Sequence, residues 1–442
     1  MMLRLLAIVI VLTCMNGFTA AQDKQYVEEF TQYTFYLSEV MLHDVVNPPA
    51  ASRFYAYAML GAYEAIYAAD NLQVDIAKNF RINPGFRFNV LPAHYSRSFC
   101  AIYAMLDVGR QMIPSGYSLE ERELELVKLY RKKHKLSETD IEENIAFAKN
   151  VADQVTAFAK MDGYLKLSTW QRYNPNTREE GHWYPTPPEY MSAVEPQWKT
   201  IRPFFLDSAS QFPPRPPVPF DKGKESGFYK LMQEVHVTSN TLTTEQRSIA
   251  AFWDCNPFAV TYSGHMAMGI KKISPGGHWI GITGIACRKA KAPLDKTVFA
   301  HVLVALTLCD GFISCWNEKY TSDRIRPEAA INKYMDPSWR PLLQTPPFPE
   351  YTSGHSVIST ASAEVLTHLF GDNFGFTDTS EEYFGLPART FVSFRQAASE
   401  AAISRLYGGI HFRDAIEAGQ EQGRAIGKYI IIRLDSGITK GQ

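Results

Sequence analysis

The chain has 442 residues, with 45 Lys and Arg against 46 Asp and Glu and a formal net charge of −1. That near-zero balance gives no support to a nucleic-acid partner. With 45% hydrophobic, 13% aromatic and 21% charged residues, the composition excludes general disorder and suits one large or two smaller buried cores.

The first predicted element is a targeting segment. Arg4 precedes the apolar run Leu5–Leu12, and small residues follow to Thr19-Ala20-Ala21. A basic start, a short apolar run and a small-residue exit read as a secretory signal over residues 1–21, too short to span a bilayer. It predicts a secreted or periplasmic protein. A lipid anchor through Cys14 is the lesser alternative, because Thr13 suits the position before such a cysteine poorly. Residues 22–174 then read as one helix after another. Asn47-Pro48-Pro49 is a good helix start, since proline is tolerated in the first turn, and it leads into Ala50–Ala69 with helical spacing. The charge-dense stretch Leu119–Leu136 reads as a solvated helix face. The texture changes over 175–224, where eleven of the 26 prolines fall between Pro175 and Pro219. This predicts a long connector that wraps over the helices. Helical patterns return over 225–434. Within them Val298–Leu308, bracketed by His301 and Asp310, is too short for a membrane span and predicts a central buried helix. No strand alternation persists and no repeat period stands out, so the predicted class is all-α, with no transmembrane segment in the mature chain. Five cysteines outside the signal are too few for a disulfide scaffold and read as small core residues. No CxxC or HExxH occurs, so spacing gives no support to a zinc site.

The residues that carry chemistry lie between 319 and 411. Lys319 stands seven residues before Arg326-Pro327, two helical turns, and Pro327 pushes Arg326 toward extended geometry at a helix break. Ser353-Gly354-His355 precedes the helical run Val357–Phe370, which places Ser353 and Gly354 at a helix N-terminus with free backbone N–H groups. Arg405 ends a helix broken by Gly408-Gly409, and His411 sits just before the next one. Three cations, a hydroxyl, glycine N–H donors and two helix N-termini would repel one another without an anion. A tetrahedral oxyanion would satisfy them. Two histidines then remain, one able to bond the central atom and the other to move protons. Singly, each residue has a plain explanation as surface charge, helix cap or core histidine. The ordered set does not.

At these residues the sequence resembles the vanadium-dependent haloperoxidases and the type-2 phosphatidic-acid-phosphatase-like acid phosphatases, which share K-x6-RP, SGH and SR-x5-H. All three blocks are present in order. A second Ser263-Gly264-His265 lacks the other blocks and is read as a decoy. The resemblance implies that Lys319, Arg326, Ser353, Gly354 and Arg405 hold vanadate, or phosphate in the same cage. It makes His411 the ligand to vanadium (or the phosphatase nucleophile) and His355 the acid–base residue, working from an ordinary imidazole pKa. Lys319 would also help polarise bound peroxide. Asp414 follows His411 by three residues where the phosphatase pattern often has four, so that aspartate's role is not carried over. Chain length, Trp316 and Phe348 beside the cage, and the Trp183–Pro188 segment favour the haloperoxidase branch, closest to bacterial iodoperoxidase-like members. The expected reaction oxidises iodide or bromide with hydrogen peroxide to hypohalous acid, with a small organic acceptor as a further partner. The alternative is a secreted phosphatase acting on small phosphomonoesters. Asp254 is a candidate second-shell partner of Arg405, and Tyr351 either lines the pocket or packs.

Overall fold

The computed structural model describes residues 2–438 apart from 71–74, 89, 258–259, 264–265 and 270–271. For residues 2–22, 69–70, 260–263, 266–269 and 437–438 it describes the backbone alone. The signal reading of 1–21 and the decoy Gly264-His265 therefore fall outside the described side chains. In chain order the helices are α1 (Met2–His43), α2 (Pro48–Asp70), α3 (Arg97–Met112), α4 (Leu119–Lys133), α5 (Glu138–Lys160), α6 (Gly227–Asn240) and α7 (Thr244–Phe252). They continue with α8 (Pro275–Ala290), α9 (Leu294–Ser322), α10 (Pro327–Tyr334), α11 (Gly354–Phe370), α12 (Phe394–Tyr407) and α13 (Arg413–Ile438). Two short antiparallel pairs interrupt them, β1 (Val260–Ser263) with β2 (Met266–Gly269) and β3 (Phe376–Asp378) with β4 (Arg389–Phe391). Strands of three or four residues are too short for an alternating pattern to register, which is why the sequence did not announce them.

One apolar cluster joins the N-terminal helices to α8, α9, α11 and α12, so the regions on either side of the connector share a core. α9 is its axis and packs on α2, α8 and α11. The apolar run around Val298 is part of this 29-residue helix, long enough to cross a bilayer, yet 94% of its apolar window is buried inside the protein. Burial, not shortness, is what makes it a core helix. Asp310 at its centre is buried and accepts N–H bonds from Phe204, Phe205 and Leu206 at 2.7, 2.7 and 3.0 Å. Burial still pushes its carboxyl up to about 6 against the pull of those three donors. That contact ties the Pro-rich connector to the core helix. Trp316 and Tyr320, further along α9, both donate to the carbonyl of Val194.

The site depends on how closely α13 approaches α11. Gly419, Gly423 and Gly427 recur every four residues along one face of α13. A Cβ at Gly419 would lie 2.9 Å from the carbonyl oxygen of Ser353, one at Gly427 2.9 Å from that of Ala361, and one at Gly423 would run into that of Val357. Gly423→Ala should therefore cost roughly 1–3 kcal/mol, the usual penalty for overpacking a backbone contact. Chemical denaturation measures it, and an unchanged midpoint would show that the helices can separate freely.

Candidate active site

Local chemistry places each block where the helices meet. α9 ends at Asp323 in a left-handed conformation, φ 48°. Arg326 follows as an extended residue, φ −80° and ψ 153°, with Pro327 opening α10. Ser353 caps α11, its hydroxyl accepting the N–H of Ser356 at 3.4 Å. The N–H groups of Gly354 and His355 are left without intrahelical partners. Gly409, at φ 74°, turns the chain after α12 and delivers His411 to the start of α13.

These elements enclose a cavity of about 40 Å³ with two unlike walls. Such a volume holds only a few waters, or one small ion. Phe312, Trp316, Phe348 and Ile410 form the apolar wall; Gly354, His355, Arg405 and His411 form the polar one. Trp316 and Phe348 lie against each other, ring centroids 4.9 Å apart. A wider cleft of about 420 Å³ between α1 and α8 contains no orphaned polar group in its wall.

Around the small cavity the cations are buried and short of anions. Arg326 donates from Nε to the carbonyl of Phe348 at 2.8 Å and from Nη1 to that of Ile410 at 2.9 Å, while its buried Nη2 has no partner. Burial lowers its guanidinium to about 10. Arg405 donates to Ser404 Oγ at 2.9 Å and to the carbonyl of Trp253 at 2.6 Å, and burial lowers it too. His411 turns Nε2 toward Arg326 Nη1 at 3.2 Å and Nδ1 toward Glu350 Oε1 at 2.8 Å. Burial, then Arg326 and Lys319, push its imidazole well below the usual range, so it is neutral. Nδ1–H faces the carboxylate, so Nε2 carries the lone pair and accepts from Arg326 Nη1, a bond that a cavity oxyanion would exchange for its own.

Three residues have surroundings that the sequence does not show. Lys319 is fully buried, but Nζ donates to the carbonyls of Pro349, Glu350 and Thr352 at 3.0, 3.1 and 2.6 Å, which accounts for all three protons. It fastens the loop before α11, and burial lowers it to about 7. His355 does not keep an ordinary pKa: burial, then Arg405 and His411, hold it well below 6.5, and its buried Nε2 has no partner. Asp254 lies in the cavity wall, yet its carboxylate pairs with Lys272 and meets Arg405 only through its field. Tyr351 packs: it is fully buried, bonds the carbonyl of Arg215 and lies under Arg324, 4.7 Å from ring centroid to guanidinium.

The sequence reading missed a second shell. Glu350, fully buried, bonds both His411 and the N–H of Phe412, the latter at 2.9 Å, through one oxygen. Its other oxygen accepts from Arg324 Nε at 2.7 Å. Arg324 in turn forks onto Asp414 at 2.6 and 2.8 Å. Burial lowers Arg324, but the two carboxylates outweigh it and raise its pKa. Glu350 stands between Pro349 and Tyr351 with no local spacing to its partners, so no motif marked it.

Residues 299–439 match the family described as the VCPO second helical-bundle domain. No curated protein sequence matches the chain. Among solved structures it is similar to a bacterial vanadium-dependent iodoperoxidase, at 40% identity and TM-score 0.84, covering 93% of this chain and 96% of that one. Holo- and apo-type structures of a bacterial vanadium-dependent chloroperoxidase share the fold at 15% and 14% identity, with TM-scores of 0.62 and 0.65. They cover 89% and 90% of this chain, and 94% and 96% of their own. A predominantly helical fold, a cage of anion-seeking cations around a neutral imidazole, and the extent of the likeness to the iodoperoxidase make the chain a member of the vanadium-dependent haloperoxidases.

Proposed function

We propose that the cavity holds vanadate through Arg326, Arg405, Ser353, Gly354 and His411, and that iodide, then bromide, is the preferred halide. The observation that carries the assignment is the pair of buried, partnerless polar atoms, Arg326 Nη2 and His355 Nε2, with His411 Nε2 3.2 Å from Arg326 Nη1 and both histidines in one cavity wall. A tetrahedral oxyanion accepts from Arg326 Nη2, offsets the mutual repulsion of the arginines and draws a proton onto His355 Nε2, which can then donate to it. Vanadium(V) supplies a Lewis acid that polarises peroxide for attack by halide without a redox change of its own.

The protein's share is positioning and proton control. His411 offers Nε2, held in that tautomer by Glu350. The arginine forks and the N–H groups of Gly354 and His355 bind oxygens. Each turnover, X⁻ + H₂O₂ + H⁺ → HOX + H₂O, consumes a proton beside His355 Nε2. A multiply negative neighbour lifts the depressed pKa of that imidazole back toward neutrality, where proton transfer is efficient. Lys319 contributes charge and holds the loop; direct donation from it requires exchange of one carbonyl partner.

The halide preference rests on the aromatic wall of Phe312, Trp316 and Phe348. A large, weakly hydrated iodide loses less solvation there than chloride does. Steady-state assays of the vanadate-loaded enzyme should give kcat/KM for iodide above that for bromide by at least about tenfold, roughly 1.4 kcal/mol, with phosphate as a competitor of vanadate. Equal turnover of chloride would overturn the preference. Hydrolysis of p-nitrophenyl phosphate without halide oxidation would overturn the cofactor assignment.

A further inference from the structure

A second cluster, which reaches the small cavity through Cys255, plays no part in the haloperoxidase chemistry described above. Cys255, after α7, His278, in α8, and Glu381, after β3, are 2%, 0% and 4% exposed. Their donor atoms lie within 4.8 Å of one another. Nδ1 of His278 is 3.4 Å from Cys255 Sγ and 3.2 Å from Glu381 Oε1. Oε1 of Glu381 nevertheless has no hydrogen-bond partner. On its other side the ring bonds Asp378 Oδ2 from Nε2 at 2.8 Å, and Asp378 is itself fixed by the N–H and hydroxyl of Ser380 at 3.0 and 2.6 Å.

A proton on Nδ1 aligns with only one of its two neighbours: given to Glu381 it leaves the thiol its own weak S–H, and given to Cys255 it leaves a buried carboxylate oxygen unbonded. A metal ion serves both. Tetrahedral zinc bonds of the usual lengths to nitrogen, sulfur and oxygen set N···S and N···O edges of about 3.5 and 3.4 Å, close to the separations found here. The arrangement of Asp378 behind the imidazole is the one metal-binding histidines use to fix their tautomer. We propose that Cys255, His278 and Glu381 form a buried structural site for a divalent transition metal of the zinc type, with Asp378 orienting the histidine. The fourth position is left to the second oxygen of Glu381 or to water.

The site would join three segments distant in the chain and pin the backbone at 253–255. That backbone holds Arg405 through the carbonyl of Trp253, whose indole stacks on His278 at 4.5 Å. The metal would then be a positioning element behind the oxyanion cage.

The test uses tag-free, full-length enzyme loaded with Zn²⁺ or Co²⁺ and dialysed, and it reads metal content and spectra, not activity. Elemental analysis should find about one metal per chain, and chelation should lower the melting temperature by about 5 °C or more, restored by zinc. The cobalt form should show a sulfur-to-metal charge-transfer band that Cys255→Ser abolishes, and His278→Ala should lower metal content at least about tenfold. Wild-type enzyme with under about a tenth of an equivalent, or an unchanged band in Cys255→Ser, overturns the site. If the variants do not fold, the wild-type band decides, because Cys255 is the one described cysteine with both an imidazole and a carboxylate within ligand reach.

Discussion

Replacing His411 with alanine is expected to lower halide oxidation by about a thousandfold or more at saturating vanadate, the scale of losing a group that acts only in the assembled site. His411 is 3% exposed, neutral, and turned so that one nitrogen meets a carboxylate while the other meets Arg326 beside the cavity. Alanine keeps the arginines, so an oxyanion still finds charge, but nothing bonds its centre. Residual phosphate binding with lost turnover is therefore the expected signature. The initial rate of peroxide-dependent iodide oxidation, with circular dichroism as a check on folding, measures it. A variant within tenfold of wild type would remove His411 from the chemistry.

The second large effect is expected at Glu350. Its carboxylate joins the His411 imidazole to the Arg324 guanidinium and is fully buried. Glu350→Ala strands a buried arginine, half of whose compensation is gone. That should cost about 3–5 kcal/mol of stability, the usual penalty for breaking one side of a buried ion pair. Glu350→Gln keeps the volume but must point its amide donor at Arg324 or at Nδ1–H, both donors themselves. Vanadate affinity should fall roughly 10–100-fold, as when an outer-shell partner of a metal ligand is lost. The dissociation constant should move far more than the halide KM, because Glu350 touches His411, the proposed vanadium ligand, and lines no part of the small cavity. Vanadate binding unchanged within twofold would reduce Glu350 to a fold residue.

What the sequence disclosed divides along a physical line. Features set by neighbouring residues were legible: Pro327 makes Arg326 extended, Ser353 caps α11, and Gly408-Gly409 ends α12 before His411. The ordered trio of blocks was legible for the same reason, each block being short and contiguous. Features set by burial or by distant partners were not. The depressed pKa of His355 comes from a low-dielectric site and from Arg405, fifty residues on, and no local pattern encodes either. The sequence marks Lys319 only as an anion-holding cation, because its three carbonyl partners, at 349, 350 and 352, arrive only when the loop folds back over α9. Asp254 found Lys272 rather than Arg405, a choice made by the path of the chain between α7 and α8. The connector's prolines announced an irregular segment but not its anchor, since Asp310 accepts N–H groups more than a hundred positions earlier. Cys255, His278 and Glu381 are likewise too far apart to form a spacing motif, so the absence of CxxC and HExxH carried no information about them.

The most direct measurement is a crystal structure of the enzyme grown with orthovanadate. It should show one vanadate in the small cavity, bonded at its centre by Nε2 of His411, with oxygens on Arg326, Arg405 and the first N–H groups of α11. Vanadate bound at another surface, or seated in this cavity with Nε2 turned away from the metal, would contradict the whole assignment.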